Sequence, residues 1–412
     1  MSTKKDFFKE KKIWSKVKDE LLGCYLKPYF SKVMHSGKPI LYVDCFAGKG
    51  KFDDGFLGSP LIALNCLSDC LDQSHPPRSR SDVRMRFIEL NHAGDLRENL
   101  EGQTPEVFSV IEGKFEEEII DLLTNEHEKN PSINLFLYMD PYGVKALDTS
   151  FFDKLPDMFS TAELLINLNS FGFFREACRV MNVAINEKDR VVFDDLEEYD
   201  SSHFDSVREL DVVAGGNYWR NIITAYNNTE LDGYQAEQEF SRQYKERLRD
   251  KYKYVLNMPI QLKPTNHPKY RMVFATNHPE GCLLMADNMA KRTNRLIIEI
   301  QDGGQRSIFP KTISNEFVED SLLQEKVLEQ LSRTTSWTPL TTFLADFYNE
   351  CGVLCQSNRI SSGRGGSILK SLEKNGEVDV RREPCCSETG SPSSFWSENR
   401  QKKQSLWLRK KR

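Results

Sequence analysis

Several things are missing from this 412-residue chain, and each absence narrows what it can do. No stretch approaches the ~20 apolar residues that a membrane helix needs. The opening residues, MSTKKDFFKEKKIW, have neither an apolar core nor a small-residue cleavage site, so no secretory signal is expected and a cytoplasmic location follows. The ten cysteines contain no C-x-x-C pair, and a cytoplasmic setting argues against disulfides. Cys351, Cys355, Cys385 and Cys386 could be gathered into a zinc site, but ordinary buried thiols are the better reading, and no metal is expected. The phosphate-binding pattern G-x-x-x-x-G-K-[ST] is absent, which argues against ATP hydrolysis. His92, His267 and His278 are scattered, and no Ser/His/Asp or Cys/His relay is visible. There is no internal repeat and no low-complexity block.

What is present reads as a globular protein: 39% hydrophobic and 28% charged residues. The net charge of −5 is unevenly spread. Residues 321–412 carry 15 basic and 10 acidic side chains, a net of +5, while residues 1–320 carry 41 and 51, a net of −10. That asymmetry points to a nucleic-acid contact near the C-terminus, or to a solvated tail.

Apolar periodicity predicts a helix over residues 10–30, from the pattern Ile13, Trp14, Val17, Leu21, Leu22, Tyr25, Leu26, Tyr29 and Phe30. Short apolar strands without polar alternation follow at 39–44, 85–90, 133–139 and 164–168, with a weaker one at 107–111, and helices fall between them. Such strands are buried on both faces of a parallel sheet. The alternation predicts an α/β fold, a doubly wound Rossmann-like methyltransferase sheet. Residues 172–252 are helix-rich and charged, a helical insertion, and strands at 254–262 and 270–276 complete the sheet. A domain over 1–300 is therefore expected, then a Gly-containing linker over 301–320. Residues 321–412 read as three helices and a β-hairpin, a winged helix-turn-helix domain.

Four constellations carry chemistry. Asp44-Cys45-Phe46-Ala47-Gly48-Lys49-Gly50 places an acid at a strand tip before a G-x-G loop. Glycines there let backbone pass close to the methionine half of S-adenosylmethionine, and Asp44 would hold its ammonium group. Phe46 belongs to the same loop. Glu89, at the end of the next strand, is placed to accept ribose hydroxyls. Gly113, in Glu112-Gly113-Lys114-Phe115, lies where the adenine base would bind. Asp140-Pro141-Tyr142-Gly143 ends a buried strand, where open α/β sheets place ligands. Asp140 would accept a hydrogen bond from a target amine, and Tyr142 would stack on the target base. The register differs from the D-P-P-Y pattern of amino-methyltransferases, since Tyr142 replaces the second proline and Gly143 the aromatic. Pro141, Asn167, Asn169 and Phe171 would line the same cleft.

Taken together, Lys18 with Tyr25-Leu26, YVDCFAGKG (42–50), GSPLIAL (58–64), FIEL (87–90), MDPYG (139–143), FATNHPEG (274–281) and MADNMAK (285–291) resemble the three-Cys-motif partner protein family. The resemblance spans roughly residues 10–295. It implies a methyltransferase-like fold and a phage-associated partner with three clustered cysteines, itself similar to radical-S-adenosylmethionine proteins. It supplies no substrate. The expectation is a methyltransferase acting on DNA or RNA. The alternative is a non-catalytic adaptor that recruits the three-cysteine protein to nucleic acid.

Overall fold

A computed structural model describes residues 8–72, 82–141, 143–189, 204, 206–260, 268, 270–301, 318–363, 366–387, 390–399 and 402–411. Tyr142 lies outside the described residues, so its expected stacking role has no structural account. The chain divides into two compact units, Met1–Asn277 and His278–Arg412. This division precedes the linker expected at 301–320.

The first unit begins with α1 (Ile13–Met34), β1 (Ile40–Asp44), α2 (Ser59–Asp72), β2 (Val83–Glu89), α3 (Ala93–Asn99), β3 (Phe108–Glu112), α4 (Phe115–Lys129) and β4 (Asn134–Met139). It continues through α5 (Thr149–Phe152), α6 (Leu155–Met158), β5 (Thr161–Leu168), α7 (Ser170–Val180), α8 (Val207–Ala214), α9 (Trp219–Asn227), α10 (Gly233–Leu248), β6 (Tyr254–Ile260) and β7 (Tyr270–Thr276).

These strands form one seven-stranded sheet in the order β3-β2-β1-β4-β5-β7-β6. The first five are parallel, and β7 runs antiparallel to both β5 and β6. The fold is mixed α/β with a mostly parallel sheet. Every residue of β1 and β4 is buried, because helices cover both sheet faces. On one face, α1 lays Tyr25 and Tyr29 against Phe136, which stacks with Tyr42. On the other, Leu41, Val43, Leu135 and Leu137 pack with Phe115, Ile119 and Leu123 of α4. This two-sided burial is why the strands lack polar alternation. Strand order reverses between β1 and β4, and at such a crevice the carboxyl ends of open α/β sheets bind ligands.

The expected helical insertion is present as α7–α10, between β5 and β6. It is tied to the sheet by a buried ion pair. Arg271 of β7 donates from Nε and Nη2 to Glu237 of α10, at 2.6 and 2.8 Å, and the Ser170 hydroxyl donates to the same carboxylate.

The second unit contains α11 (Pro279–Gln301), α12 (Asp320–Arg333), β8 (Thr338–Pro339), α13 (Leu340–Cys351), α14 (Ser357–Ile360), α15 (Ile368–Lys374), β9 (Val378–Glu383) and β10 (Ser405–Lys410). Helix α11 belongs here rather than to the sheet domain. Its Asp287 accepts the Ser357 N–H and hydroxyl at 2.6 and 2.8 Å, and Cys282 contacts the Ala345 carbonyl of α13. The strands form an antiparallel sheet in the order β8-β10-β9. Cys355 is buried, its thiol pushed up to about 12 by desolvation, while Cys385 and Cys386 are exposed. Among the described residues, no group of three or more His, Cys, Asp or Glu side chains is placed to hold a metal ion.

Candidate functional site

The carboxyl ends of β1 and β4 lie side by side, with Asp44 paired to Tyr138 in the register. Asp44 is fully buried. Its Oδ1 accepts the Phe46 N–H at 3.3 Å, while Oδ2 accepts no hydrogen bond. Desolvation pushes this carboxyl up to about 7; Ser59 and the Phe46 N–H pull it partly back, and Asp140 and Asp19 push it further up. A buried carboxylate oxygen without a donor is costly, so such an atom marks a place where a polar ligand would be favoured.

Asp140 stands beside it. Lys18 of α1 donates to both Asp140 oxygens at 2.7 Å, and Asn167 Nδ2 donates to Oδ1 at 2.6 Å. Asn167 is the penultimate residue of β5, one strand away, and its own Oδ1 is buried without a hydrogen bond. Lys18 also lies 5.4 Å from the Tyr270 ring centroid. Asp19, the next residue on α1, pairs with Lys11; burial raises its pKa despite that partner. Three aspartates and two lysines thus meet at the switch point.

Lys18 is a functional candidate that residue-level reasoning missed. It sits on an apolar helix face, where it is visible only through the family resemblance. Its removal tests the pair. Lys18→Met is expected to destabilise the fold by about 2–3 kcal/mol, less than for a fully buried pair because the Asp140 side chain is 24% exposed. Adding Asp140→Asn should recover part of that loss. Equal thermal midpoints for Lys18→Met and the double variant would show that the ion pair carries no coupling.

The glycine loop is built differently from the sequence expectation. Gly48 has φ +62° and donates its N–H to Glu89 Oε2 at 2.8 Å. Glu89 Oε1 accepts the Asn91 and His92 N–H groups at 2.8 and 3.0 Å. Glu89, expected to take ribose hydroxyls, therefore spends most of its acceptor capacity fixing this loop. A carboxylate offers about four lone pairs, so one remains. Gly50 has φ +76°, and a Cβ there would meet Leu96 Cδ1 at 2.8 Å. Its carbonyl accepts the Gly58 N–H at 2.8 Å. Gly50 is thus favoured by its positive φ, and it lets the loop pack closely on α3 and the α2 entry.

Phe8 is the other residue that sequence reasoning missed, since the polar N-terminal run carries no signal for it. A Cβ on Gly48 would lie 3.4 Å from its ring. The ring also meets Phe52 and His92 edges at 5.7 and 5.0 Å between centroids. The close approach of cofactor to backbone expected at Gly48 is thereby covered, and a ligand passing this glycine must displace the ring. Further along, Lys11 binds the same loop through Asp54 and the Leu57 carbonyl.

Other expected residues fall as follows. Phe46 is partly buried, its ring 5.2 Å from Phe115. Gly113 lies beyond β3 and donates to the Glu89 carbonyl at 3.2 Å; a Cβ there would collide with Glu118. Pro141 is buried next to Asp140. Asn169 is the N-cap of α7, accepting the Gly172 N–H at 2.8 Å, so its Oδ1 is spent on the helix start. Phe171 is wholly buried, 5.9 Å from Phe174, and belongs to the core.

No family model matches the chain, and no curated protein matches it. Among solved structures, a crystal structure of a Legionella pneumophila str. Philadelphia 1 protein of family DUF519 is similar at 11% identity. The alignment covers 63% of this chain and 85% of that chain, with a TM-score of 0.34. So distant a likeness leaves the reading of function to the residues themselves.

The site can bind a cation against Asp44, hold a donor against Asp140 or Asn167 Oδ1, and exclude water once filled. Among the described residues, no helix is long and apolar enough to cross a membrane.

Proposed function

We propose that the chain is an S-adenosylmethionine-dependent methyltransferase acting on nucleic acid. The observation that carries this reading is the unpartnered, buried Oδ2 of Asp44 at the tip of β1, beside a loop turned by a positive-φ glycine. It fits an ammonium group, and one lone pair of Glu89 remains for a ribose hydroxyl. The doubly wound, Rossmann-like strand order with a reversed β7 supports the same reading. So does the family resemblance, which adds a three-cysteine-motif protein as partner. Within the second unit, α12, α13 and α15 with the β9–β10 hairpin read as a winged helix-turn-helix that holds the nucleic acid.

Bound S-adenosylmethionine would supply a methyl group on sulfur, open to direct displacement by a nucleophilic atom of the target. The chain's own contribution is alignment. Asp140, fixed by Lys18 and Asn167, would accept a hydrogen bond from the target and keep its lone pair directed at the methyl carbon. Asn167 Oδ1 offers a second acceptor. The attacking atom's proton would leave to solvent after transfer.

A non-catalytic adaptor is the second reading. It is favoured by Phe8 over Gly48, by the bonds that occupy Glu89, and by the Lys18–Asp140 pair. Tritiated-methyl transfer to DNA, RNA and the three-cysteine protein, with Asp140→Ala as control, separates the two. Incorporation into nucleic acid that falls at least ~100-fold in Asp140→Ala is expected for the enzyme. Absence of S-adenosylmethionine binding by calorimetry would remove that reading and leave the adaptor.

A further inference from the structure

Strand β10 alternates cleanly. Leu406 and Leu408 are buried, while Ser405, Trp407 and Arg409 point to the opposite face of the three-stranded sheet. The register places Arg381 of β9 and Pro339 of β8 on either side of Trp407. The next row holds Asp379 beside Arg409, with Trp337 just before β8. In each row an arginine lies on a tryptophan. Arg381 is 5.5 Å from the Trp407 ring centroid, and Arg409 is 4.4 Å from that of Trp337. The two rows are two residues apart along β10, roughly 6.5–7 Å.

Trp337 is 40% exposed. The same unit shows what a purely structural pairing of these side chains looks like. Trp396 is 5% exposed, lies under Arg382, and donates to Glu373, which also receives a bidentate bond from Arg382. That arrangement clamps α15 to β9. The Trp337 and Trp407 pairs also join strands, since Arg409 donates to Asp379 of β9 at 3.1 Å, yet they leave aromatic surface in water, at a cost that a stacked partner would offset.

Charge selects the partner. Lys402 and Lys403 before β10, and Lys410 and Lys411 at its end, are exposed. The two acidic groups of this face, Asp379 and Glu383, are each already engaged by an arginine. Residues 321–412 have a net charge of +5. Flat rings interleaved with cations suit unstacked bases joined by phosphates, and every base offers a π-face. A duplex hides those faces in its own stack.

We propose that this sheet face is a stacking platform for single-stranded nucleic acid. Trp337 and Trp407 receive successive bases, and Arg381, Arg409 and Lys411 face the backbone phosphates. The inference rests on the nucleic-acid part of the reading above and not on its cofactor. It adds a surface separate from the helix by which winged-helix domains enter a duplex groove.

The test uses the full chain without S-adenosylmethionine, so its outcome is independent of methyl transfer. Fluorescence anisotropy is measured on labelled 15-nucleotide oligo(dT), oligo(U) and a 15-base-pair duplex at low salt. Either single strand should bind at least about tenfold more tightly than the duplex. Trp337→Ala and Trp407→Ala should each weaken single-strand binding by roughly 5- to 50-fold, and phenylalanine at either position should keep most of the affinity. Arg381→Glu, at a side chain that is 61% exposed, should weaken binding and flatten the salt dependence. Circular dichroism identifies any variant that fails to fold. Equal binding of duplex and single strand overturns the proposal. So does wild-type affinity in folded Trp337→Ala and Arg381→Glu, or no single-strand binding by the wild type at tens of micromolar protein.

Discussion

Asp44→Asn is expected to melt several degrees higher than the wild-type protein at pH 8 and, on the proposed function, to lose S-adenosylmethionine binding. These two effects have opposite signs, and a purely structural residue would not give both. Burial raises the Asp44 carboxyl from 3.8 to about 7. A raised carboxyl favours the protonated form in the folded state. Its contribution to stability is therefore fully present below about pH 4 and is lost as pH rises through 7. Above pH 7 the fold carries a buried charge whose cost is a few kcal/mol by that shift. Asparagine keeps the shape and never ionises. The net gain should be about 1–3 kcal/mol, because the amide is also buried with an unmet polar atom. The difference in melting temperature between the two proteins should shrink as pH falls from 7 to 4.

Ligand binding runs the other way. An ammonium group needs the ionised Asp44, so affinity should rise with pH up to about 7, by as much as tenfold per unit, and then level. Loss of the charge partner should weaken binding at least ~30-fold and remove that pH dependence. Calorimetric titration across pH 5.5–8 measures both. An Asp44→Asn protein that is less stable at pH 8, or that binds with wild-type affinity, would exclude Asp44 as the ammonium acceptor.

Arg271→Met is expected to be among the most destabilising single substitutions, at about 3–5 kcal/mol. It strands the Glu237 carboxylate, whose side chain is wholly buried, with only the Ser170 hydroxyl as donor. Adding Glu237→Gln should restore much of the loss, because the amide still accepts from Ser170 and carries no charge. Scanning calorimetry of both variants measures the coupling. Identical melting points for the single and double variants would mean that the charge pair does not hold α10 to the sheet. The consequence reaches the site, since Leu168 pairs with Arg271 in the register and Asn167 is its neighbour. Misplacing the end of β5 would move an Asp140 partner.

Much of the scaffold was legible because it follows from local rules. Ile13 to Phe30 show a helical stripe; of its nine apolar positions, the seven from Val17 to Phe30 are buried and Trp14 is half-buried. The strands read at 39–44 and 133–139 as apolar runs form at Ile40–Asp44 and Asn134–Met139 and are buried on both faces. Acidic strand tips at 44 and 140 were visible as residues ending such runs. Less legible were the contacts made across the sequence. Gly50 packs closely on Leu96, 46 positions away, and nothing in G-x-G shows that contact. Asn169 looked like a cleft residue and is a helix cap. The boundary between units was placed at a Gly-containing stretch, whereas α11 packs into the second unit.

The amino-acid sequence alone determined the order of elements, the buried strands and the acidic residues at their carboxyl ends, because each depends on near neighbours along the chain. Only the tertiary structure decided which groups share the switch point. It brought Lys18 to Asp140, spent Glu89 on the Gly48 loop, and laid Phe8 over that glycine. Those pairings depend on parallel crossovers joining residues tens to more than a hundred positions apart, and no local periodicity encodes them.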